Sequence, residues 1–501
     1  MNHNSSRTSV GLFVIRTVLA VLVLSVVVMP LAGQCYNQPG WVHYGCSTYP
    51  LTQSSTPTNT DVQVANLVYD PAKAWADYSW ILSTPTDSAA AATALSTGVK
   101  TYNNSINMSN SASPIPTLCE QAKTTYNKAV GTITSVQWSH ATPASLSNAH
   151  EASRNSYSAI ANDILDGAVM DVMMGCGNPD YNASGKPTSA KDYNYVGGEA
   201  AWTSLIAATH AGGWTLLQTR EQVRALASGA TPQRVLVTAQ VRGTLQQGRR
   251  VSRDWDANGK IDKEDIKVAD VCCDPMIETV PTLAEMTRAA LNCLTSRDQA
   301  GANGFVLNIE GGAVDSAAHS NQLPRMVEEQ LAFVEAVQAV VDFVDADGDE
   351  YTWENTLLVI TSDHDTGLMW GPNSGSANFE PLVAQGPHKA PLTHYNSGGH
   401  SNSLVPLMAR GAGSERFAAL VDGNDPTAAA KWGVGDYVDN TDVYTVMSAA
   451  IADGHNVVLM VADGGGFNNW KAAQMYAAPE PAALSQPDSG GARVTAAPAP
   501  H

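Results

Sequence analysis

Three stretches of the chain are predominantly apolar, with no polar alternation, and each ends on an acid. They run from Gly304 to Glu310, from Asn355 to Asp363 and from Asn456 to Asp463. Strict alternation would mark a strand with one wet face. Continuous β-branched and aliphatic character instead predicts strands buried on both faces, as in a parallel sheet. Residues 281–294 and 324–344 have apolar positions at helical spacing, and 89–94 is rich in alanine, so all three are predicted helices. The alternation of helices with buried strands predicts an α/β fold, a large mostly parallel sheet sandwiched by helices. The polar, Gly/Asn/Ser-rich stretch 177–195 is expected to be a surface insertion.

In such sheets ligands gather outside the carboxyl ends of the strands. Glu310, Asp363 with His364, and Asp463 with its three following glycines therefore point to one polar site. Asp315 and His319 are four residues apart and share a helix face. His400 lies in a Gly/Ser-rich loop, 396–402. Mixed nitrogen and oxygen donors of this kind suit zinc, and oxygen donors alone suit magnesium. Ser88 precedes the alanine run, at a helix N-terminus where main-chain N–H groups favour an anion. By itself that serine is an ordinary helix start. Together with two Asp/His pairs it is a candidate nucleophile.

Composition narrows the partners. The chain has 501 residues and a formal net charge of -19, so it lacks the basic surplus that nucleic-acid backbones require. A small phosphate ester is still compatible, because a metal or an arginine reverses the sign locally. The first 34 residues read as a signal peptide, with Arg7 and Arg16 bordering an apolar run to Met29 and small residues at Ala32 and Gly33. This implies a secreted or periplasmic protein; an uncleaved membrane anchor is the alternative reading. The last 25 residues, 477–501, rich in Ala, Pro and Ser, are expected to be a disordered tail. The seven cysteines, Cys35, Cys46, Cys119, Cys176, Cys272, Cys273 and Cys293, show no CxxC ladder, which argues against a thiolate zinc site and leaves disulfide pairing open.

The motifs in combination resemble the alkaline phosphatase family. They are Asp87-Ser88-Ala89 with Thr97-Gly98-Val99-Lys100-Thr101, the Ser139-His140-Ala141-Thr142-Pro143 stretch leading to Arg154, the block from Glu310 to His319, Thr361-Ser362-Asp363-His364, His400, and the Asp463-Gly strand end. The resemblance implies an alkaline phosphatase-like fold over 35–476, with one catalytic domain. It implies hydrolysis of small phosphate monoesters at alkaline pH through a phosphoserine on Ser88, with two Zn2+ and one Mg2+. Asp315, His319 and His400 would hold one zinc. Asp363, His364 and Asp463 would hold the other. Thr142, Glu310 and Asp463 would hold the magnesium, and Arg154 would grip the phosphate as a bidentate fork. His140 stands where some members carry Asp near the magnesium, which leaves that metal's identity open. Ser316 replaces a bulkier polar or aromatic residue that contacts phosphate in other members. The family is often dimeric, which makes a homodimer one option, although no stretch of the sequence shows an interface.

One departure concerns order. In the family the strand ending in Asp-Gly comes first. Here it comes last, so 456–476 reads as a displaced N-terminal strand and helix, a circular permutation joined through the short segment 452–456. A separate loop, Asp254, Asp256, Asn258, Gly259, Asp262 and Asp265, has EF-hand-like spacing and is a candidate Ca2+ site. Two alternatives accompany the phosphatase reading: a phosphodiesterase of the same superfamily, or an inactive secreted scaffold that binds metal or phosphate. A sulfatase is disfavoured, because its Cys/Ser-x-Pro-x-Arg motif is absent around Ser88.

Overall fold

The computed structural model describes residues 39–49, 69–346 and 350–478. The expected signal peptide lies outside them, as does the expected tail beyond residue 478. Eleven strands form one sheet: β1 (Trp41–Ser47), β2 (Ala129–Gln137), β3 (Val172–Cys176), β4 (Thr215–Leu217), β5 (Val235–Thr238), β6 (Phe305–Glu310), β7 (Thr356–Thr361), β8 (Val405–Gly411), β9 (Gly423–Asn424), β10 (Asp436–Asp439) and β11 (Asn456–Val461). Their spatial order is β9-β10-β1-β8-β7-β11-β6-β2-β3-β5-β4. From β7 to β4 every pairing is parallel, while β8 runs antiparallel to both β7 and β1. The mostly parallel sheet expected from the apolar runs is present.

Burial on both faces explains those runs. Along β11, Val457, Leu459 and Val461 join one apolar layer, and Val458, Met460 and Ala462 join the layer on the other face. β7 divides the same way, with Leu357 and Val359 against Leu358 and Ile360. Each such side chain contributes about 1.5–3 kcal/mol when fully buried, so a polar residue at any of these apolar positions is costly.

Helices cover both faces. The principal ones are α1 (Ser88–Thr97), α2 (Leu283–Gln299), α3 (Ala313–His319), α4 (Leu323–Val344), α5 (Asn440–Ala452) and α6 (Phe467–Ala477). The predicted helices at 89–94, 281–294 and 324–344 correspond to α1, α2 and α4. α1 is buried along its whole length, which its alanines allow by letting neighbouring helices approach closely. Between residues 177 and 193 the chain forms no helix or strand, as expected of an insertion. The six described cysteines are free thiols.

The segment that precedes β11 is short but well formed. α5 ends at Ala452, Asp453 caps it, and Gly454 turns the chain with φ +91°. His455 N–H then donates to Ala450 O at 2.9 Å, and Asn456 N–H donates to Asn355 O at 2.8 Å. A left-handed glycine closing a helix in this way reverses the chain in few residues. β11 thereby enters the middle of the sheet, parallel to both β6 and β7.

Candidate active site

The register of the three central strands assembles the site. Val461 on β11 is level with Glu310 on β6 and with Thr361 on β7. Asp463 and Asp363, each two residues further on, therefore leave the sheet side by side. Gly464 N–H donates to Asp363 Oδ1 at 3.0 Å, and His364 N–H donates to the same oxygen at 2.9 Å. Ser362 Oγ donates to Ala462 O and accepts from Gly465 N–H, which ties the two strand ends together. The glycines are there for space. A Cβ on Gly464, whose φ is +73°, would stand 2.8 Å from the Asp315 Cα, and one on Gly466 would overlap Asp365 Oδ1.

Two groups of donors result. In the first, His319 Nε2 lies 3.3 Å and His400 Nε2 3.7 Å from Asp315 Oδ1, with 3.1 Å between the two nitrogens. In the second, His364 Nε2 lies 3.1 Å from Asp363 Oδ2 and 3.7 Å from Asp463 Oδ1. Asp315 stands close to both, since Asp315, His364 and Asp463 also present donor atoms within 4.8 Å of one another. Tetrahedral zinc with ~2.0 Å bonds separates neighbouring donors by roughly 3.3 Å, so both groups have spacings that suit it.

Hydrogen bonds on the far side of each ring set its tautomer. His319 Nδ1 is 2.7 Å from Gly398 O, and His400 Nδ1 is 2.7 Å from Thr86 O. A carbonyl only accepts, so each Nδ1 carries the proton and each Nε2 is bare. Thr366 Oγ1 donates to Asp315 Oδ1 at 2.7 Å and sits 3.2 Å from His364 Nδ1, which makes that nitrogen a donor as well. All three imidazoles thus offer a lone pair to the site, the arrangement that metal ligation uses. Burial, followed by neighbouring His400 and His319, holds His364 well below its ordinary pKa and keeps it neutral.

The carboxylates are strained electrostatically. Burial pushes Glu310 up to about 8 and Asp363 up to about 7, and burial together with the charges of Asp363 and Asp315 pushes Asp463 well above the usual range. Glu310 Oε1, Thr142 Oγ1, Asp363 Oδ2, Asp463 Oδ1 and His140 Nδ1 are buried atoms without a hydrogen bond of ordinary geometry. Converging acids and orphaned oxygens of this kind fit divalent cations. The other Glu310 oxygen accepts from Thr134 Oγ1.

Ser88 opens α1. The helix cap is Asp87, whose Oδ1 accepts from Ala90 N–H at 3.0 Å; Ser88 is the first helical residue, almost fully buried, with Oγ 3.2 Å from His364 Nε2. Asp87 Oδ2 accepts from Arg154 Nη1 at 3.0 Å, which ties the guanidinium to the residue just before Ser88. His140 caps the short helix Ala141–Ser145, and its ring lies parallel to Tyr157 at 6.3 Å. Burial, then Arg154, lowers it to about 3. Neither His140 nor Thr142 belongs to the two tight donor groups. The roles of Thr366, Ser362, Thr134 and the carbonyls of Thr86 and Gly398 were not foreseen. Asp87 was visible in its motif, but a threonine two residues past His364 carries no signal of its own.

The EF-hand-like loop brings Asp254, Asp256 and Asp265 together within 4.8 Å. Asn258 and Asp262 are not in this trio but bond to it, Asn258 Nδ2 donating to Asp256 Oδ2 and Asp262 N–H to Asp265 Oδ2, each at 2.8 Å. Their side chains cap the turn, Asn258 Oδ1 accepting from Lys260 N–H and Asp262 Oδ1 from Glu264 N–H.

Fold and site together define an α/β protein with a serine set among histidines and carboxylates that could hold metal ions, at the carboxyl ends of its central strands. A family model described as alkaline phosphatase matches residues 79–405, and the chain belongs to the alkaline phosphatase family. It is 31% identical over 306 residues to alkaline phosphatase 3 of Bacillus subtilis, covering 60% of this chain and 54% of that protein. It is 31% identical over 363 residues to the alkaline phosphatase of Escherichia fergusonii, covering 68% of this chain and 72% of that one. The chain spans about half the length of the Bacillus relative. Among solved structures, the alkaline phosphatase of the Antarctic bacterium TAB5 shares the fold at TM-score 0.51 and 19% identity, covering 83% and 90% of the two chains. That of Thermus thermophilus does so at TM-score 0.51 and 21% identity, covering 87% and 86%.

Proposed function

We propose that this protein hydrolyses small phosphate monoesters through a phosphoserine on Ser88. The observation that carries the reading is the position of Ser88 Oγ, 3.2 Å from His364 Nε2, beside two donor groups that Asp315 approaches closely. Asp315, His319 and His400 would hold one zinc, and Asp363, His364 and Asp463 the other. Thr142, Glu310 and Asp463 would hold a magnesium, with His140 next to it. When bound, such cations lower the pKa of an adjacent hydroxyl and screen phosphoryl charge. Metal identity at the His140 position is the least constrained; a His→Asp variant of the TAB5 enzyme has Mg bound in its M3 site.

The remaining chemistry belongs to the chain itself. Ser88 Oγ bonds to phosphorus as the ester P–O bond breaks and the alcohol leaves. Water then attacks the phosphoserine, releases phosphate and restores the hydroxyl. The N-terminal N–H groups of α1 favour the anion at both stages. Arg154, held by Asp87, grips two phosphoryl oxygens. The relative named streptomycin-6-phosphate phosphatase, 28% identical over 371 residues, agrees with a monoester substrate.

We also propose that β11 and α6 are the family's N-terminal strand and helix in permuted order. Supporting this, β11 lies between β6 and β7, and the family match ends at residue 405, before either element. Export, through residues 1–34, and pairing into a homodimer belong to the same proposal. Among the described residues no helix is long and apolar enough to cross a membrane. Ca2+ at 254–265 is proposed on its three gathered carboxylates.

The test compares p-nitrophenyl phosphate with bis-p-nitrophenyl phosphate, using protein loaded with zinc and magnesium at alkaline pH. Monoester turnover is expected to fall by about 1,000-fold or more in Ser88→Ala, and acid-quenched wild type is expected to carry phosphate on Ser88. Faster cleavage of the diester, or equal rates in wild type and Ser88→Ala, would overturn the reading.

A further inference from the structure

A cavity of about 330 Å³ opens beside α4 and plays no part in the chemistry above. Its walls are mainly apolar, with Leu245, Met276, Leu283 and Leu331 among them. Glu329, only 5% exposed, also lines it, and its Oε1 is buried without a hydrogen bond. The adjacent Glu328 lines the cavity too but is differently partnered. It takes Arg249 Nη2 at 2.8 Å, Arg325 Nη1 at 3.2 Å and Cys272 N–H at 2.7 Å, so its charge is answered within the fold. Neither lysine nor arginine lines the cavity; its single basic side chain is the exposed His388.

We propose that this cavity binds an organic ammonium, a primary amine carried on an apolar body. The argument rests on complementarity. An apolar wall gains from any hydrophobic group of the right size, but only a donor satisfies Glu329 Oε1, and a charged donor does so most strongly. Burial and then the charge of Glu328 push the Glu329 carboxyl up to about 8, and they outweigh the opposing pull of Arg249 and of the Gln247 main chain. An ammonium within hydrogen-bonding distance would restore its ionised form. Mainly apolar clefts of this volume with a few buried polar groups are typical small-molecule sites.

Phenethylamine and its neutral counterpart 2-phenylethanol separate the two contributions, titrated by calorimetry into the metal-loaded full chain. The amine is expected to saturate, with at least about tenfold higher affinity than the alcohol. Glu329→Gln is expected to remove that advantage while leaving the hydrolysis of p-nitrophenyl phosphate unchanged. Ala332→Phe, which fills the cavity from α4, is expected to abolish binding of both compounds. The proposal is overturned if the amine does not saturate, if the two compounds bind equally to wild type, or if Glu329→Gln binds the amine as wild type does. If Glu329→Gln fails to fold, the comparison of the two compounds on wild type and on Ala332→Phe still decides.

Discussion

Asp463 Oδ1 lies 3.7 Å from His364 Nε2, although the two residues end strands from separate parts of the chain. β11 and β7 are neighbours in parallel register, and Asp463 and His364 leave that pair on the same edge. The contact depends on β11 entering the sheet at one register and no other. A slip of one residue would turn Asp463 to the opposite face.

Asp463→Asn tests that dependence with two opposite outcomes. The amide keeps the shape but removes the charge, so zinc affinity is expected to fall by at least about 100-fold and monoester turnover with it. Metal-free protein should respond the other way. Its buried, mutually repelling carboxylates lose one member, and its stability is expected to rise by about 1 kcal/mol or more. Metal content by mass spectrometry and melting curves with and without chelator read both effects.

Two glycines of similar backbone conformation should behave differently. Gly464 has φ +73° and an added Cβ would meet the Asp315 Cα at 2.8 Å, whereas Gly454 has φ +91° and open space around it. Gly454→Ala is expected to cost about 1 kcal/mol of stability through backbone strain alone and to leave zinc binding intact. Gly464→Ala carries the same strain and also displaces Asp315, so loss of zinc should exceed loss of stability. Equal zinc affinity in the two variants would show that the approach of Gly464 to Asp315 is not what shapes the site.

Much of this was legible in the chain because burial on both strand faces leaves an unmistakable pattern. Glu310, Asp363 and Asp463 each end such a run, and parallel strands bring their ends to one edge. Asp315 and His319 followed from helical spacing. Strand order did not follow, because continuous apolar runs carry no pairing information. The entry of β11 between β6 and β7, and the antiparallel β8, had to be seen. Thr366 and the carbonyls of Thr86 and Gly398 were hidden for another reason. A hydroxyl or main-chain oxygen is present in every loop, and only three-dimensional placement turns it into an anchor for an imidazole.

Asp87 is expected to act through Arg154. Asp87→Asn keeps a good helix cap for α1, but weakens the charged contact with Arg154 Nη1. KM for monoesters and the inhibition constant for product phosphate should both rise by about 2- to 10-fold. Arg154→Lys replaces the planar fork by a point charge and should raise both by about tenfold or more. Steady-state kinetics with added phosphate distinguish a positioning effect, which moves both constants together, from general damage, which lowers kcat alone.

The last prediction concerns pH and a pair away from the metals. His150 Nε2 is 3.0 Å from Glu120 Oε1, and His150 Nδ1 is 3.1 Å from Asn107 O. Both acceptors ask for a protonated nitrogen. Burial opposes the charge on His150, but the hydrogen bond and charge of Glu120 prevail and raise its pKa. Burial likewise opposes ionisation of Glu120, but the hydrogen bonds from His150 and Thr117 prevail and lower it. A raised histidine contributes stability that is full below its unfolded pKa of ~6.5 and fades as pH rises through the folded value. A lowered glutamate contributes stability that is full above its unfolded pKa of ~4.3 and fades as pH falls through the folded value. The pair therefore stabilises most between about pH 4.3 and 6.5. Glu120→Gln retains the hydrogen bond to Thr117 N–H while removing the charge. It should cost about 1 kcal/mol near pH ~6 and progressively less toward pH ~9. Chemical denaturation at the two pH values measures this, and a pH-independent difference would mean that the pair contributes through packing rather than charge.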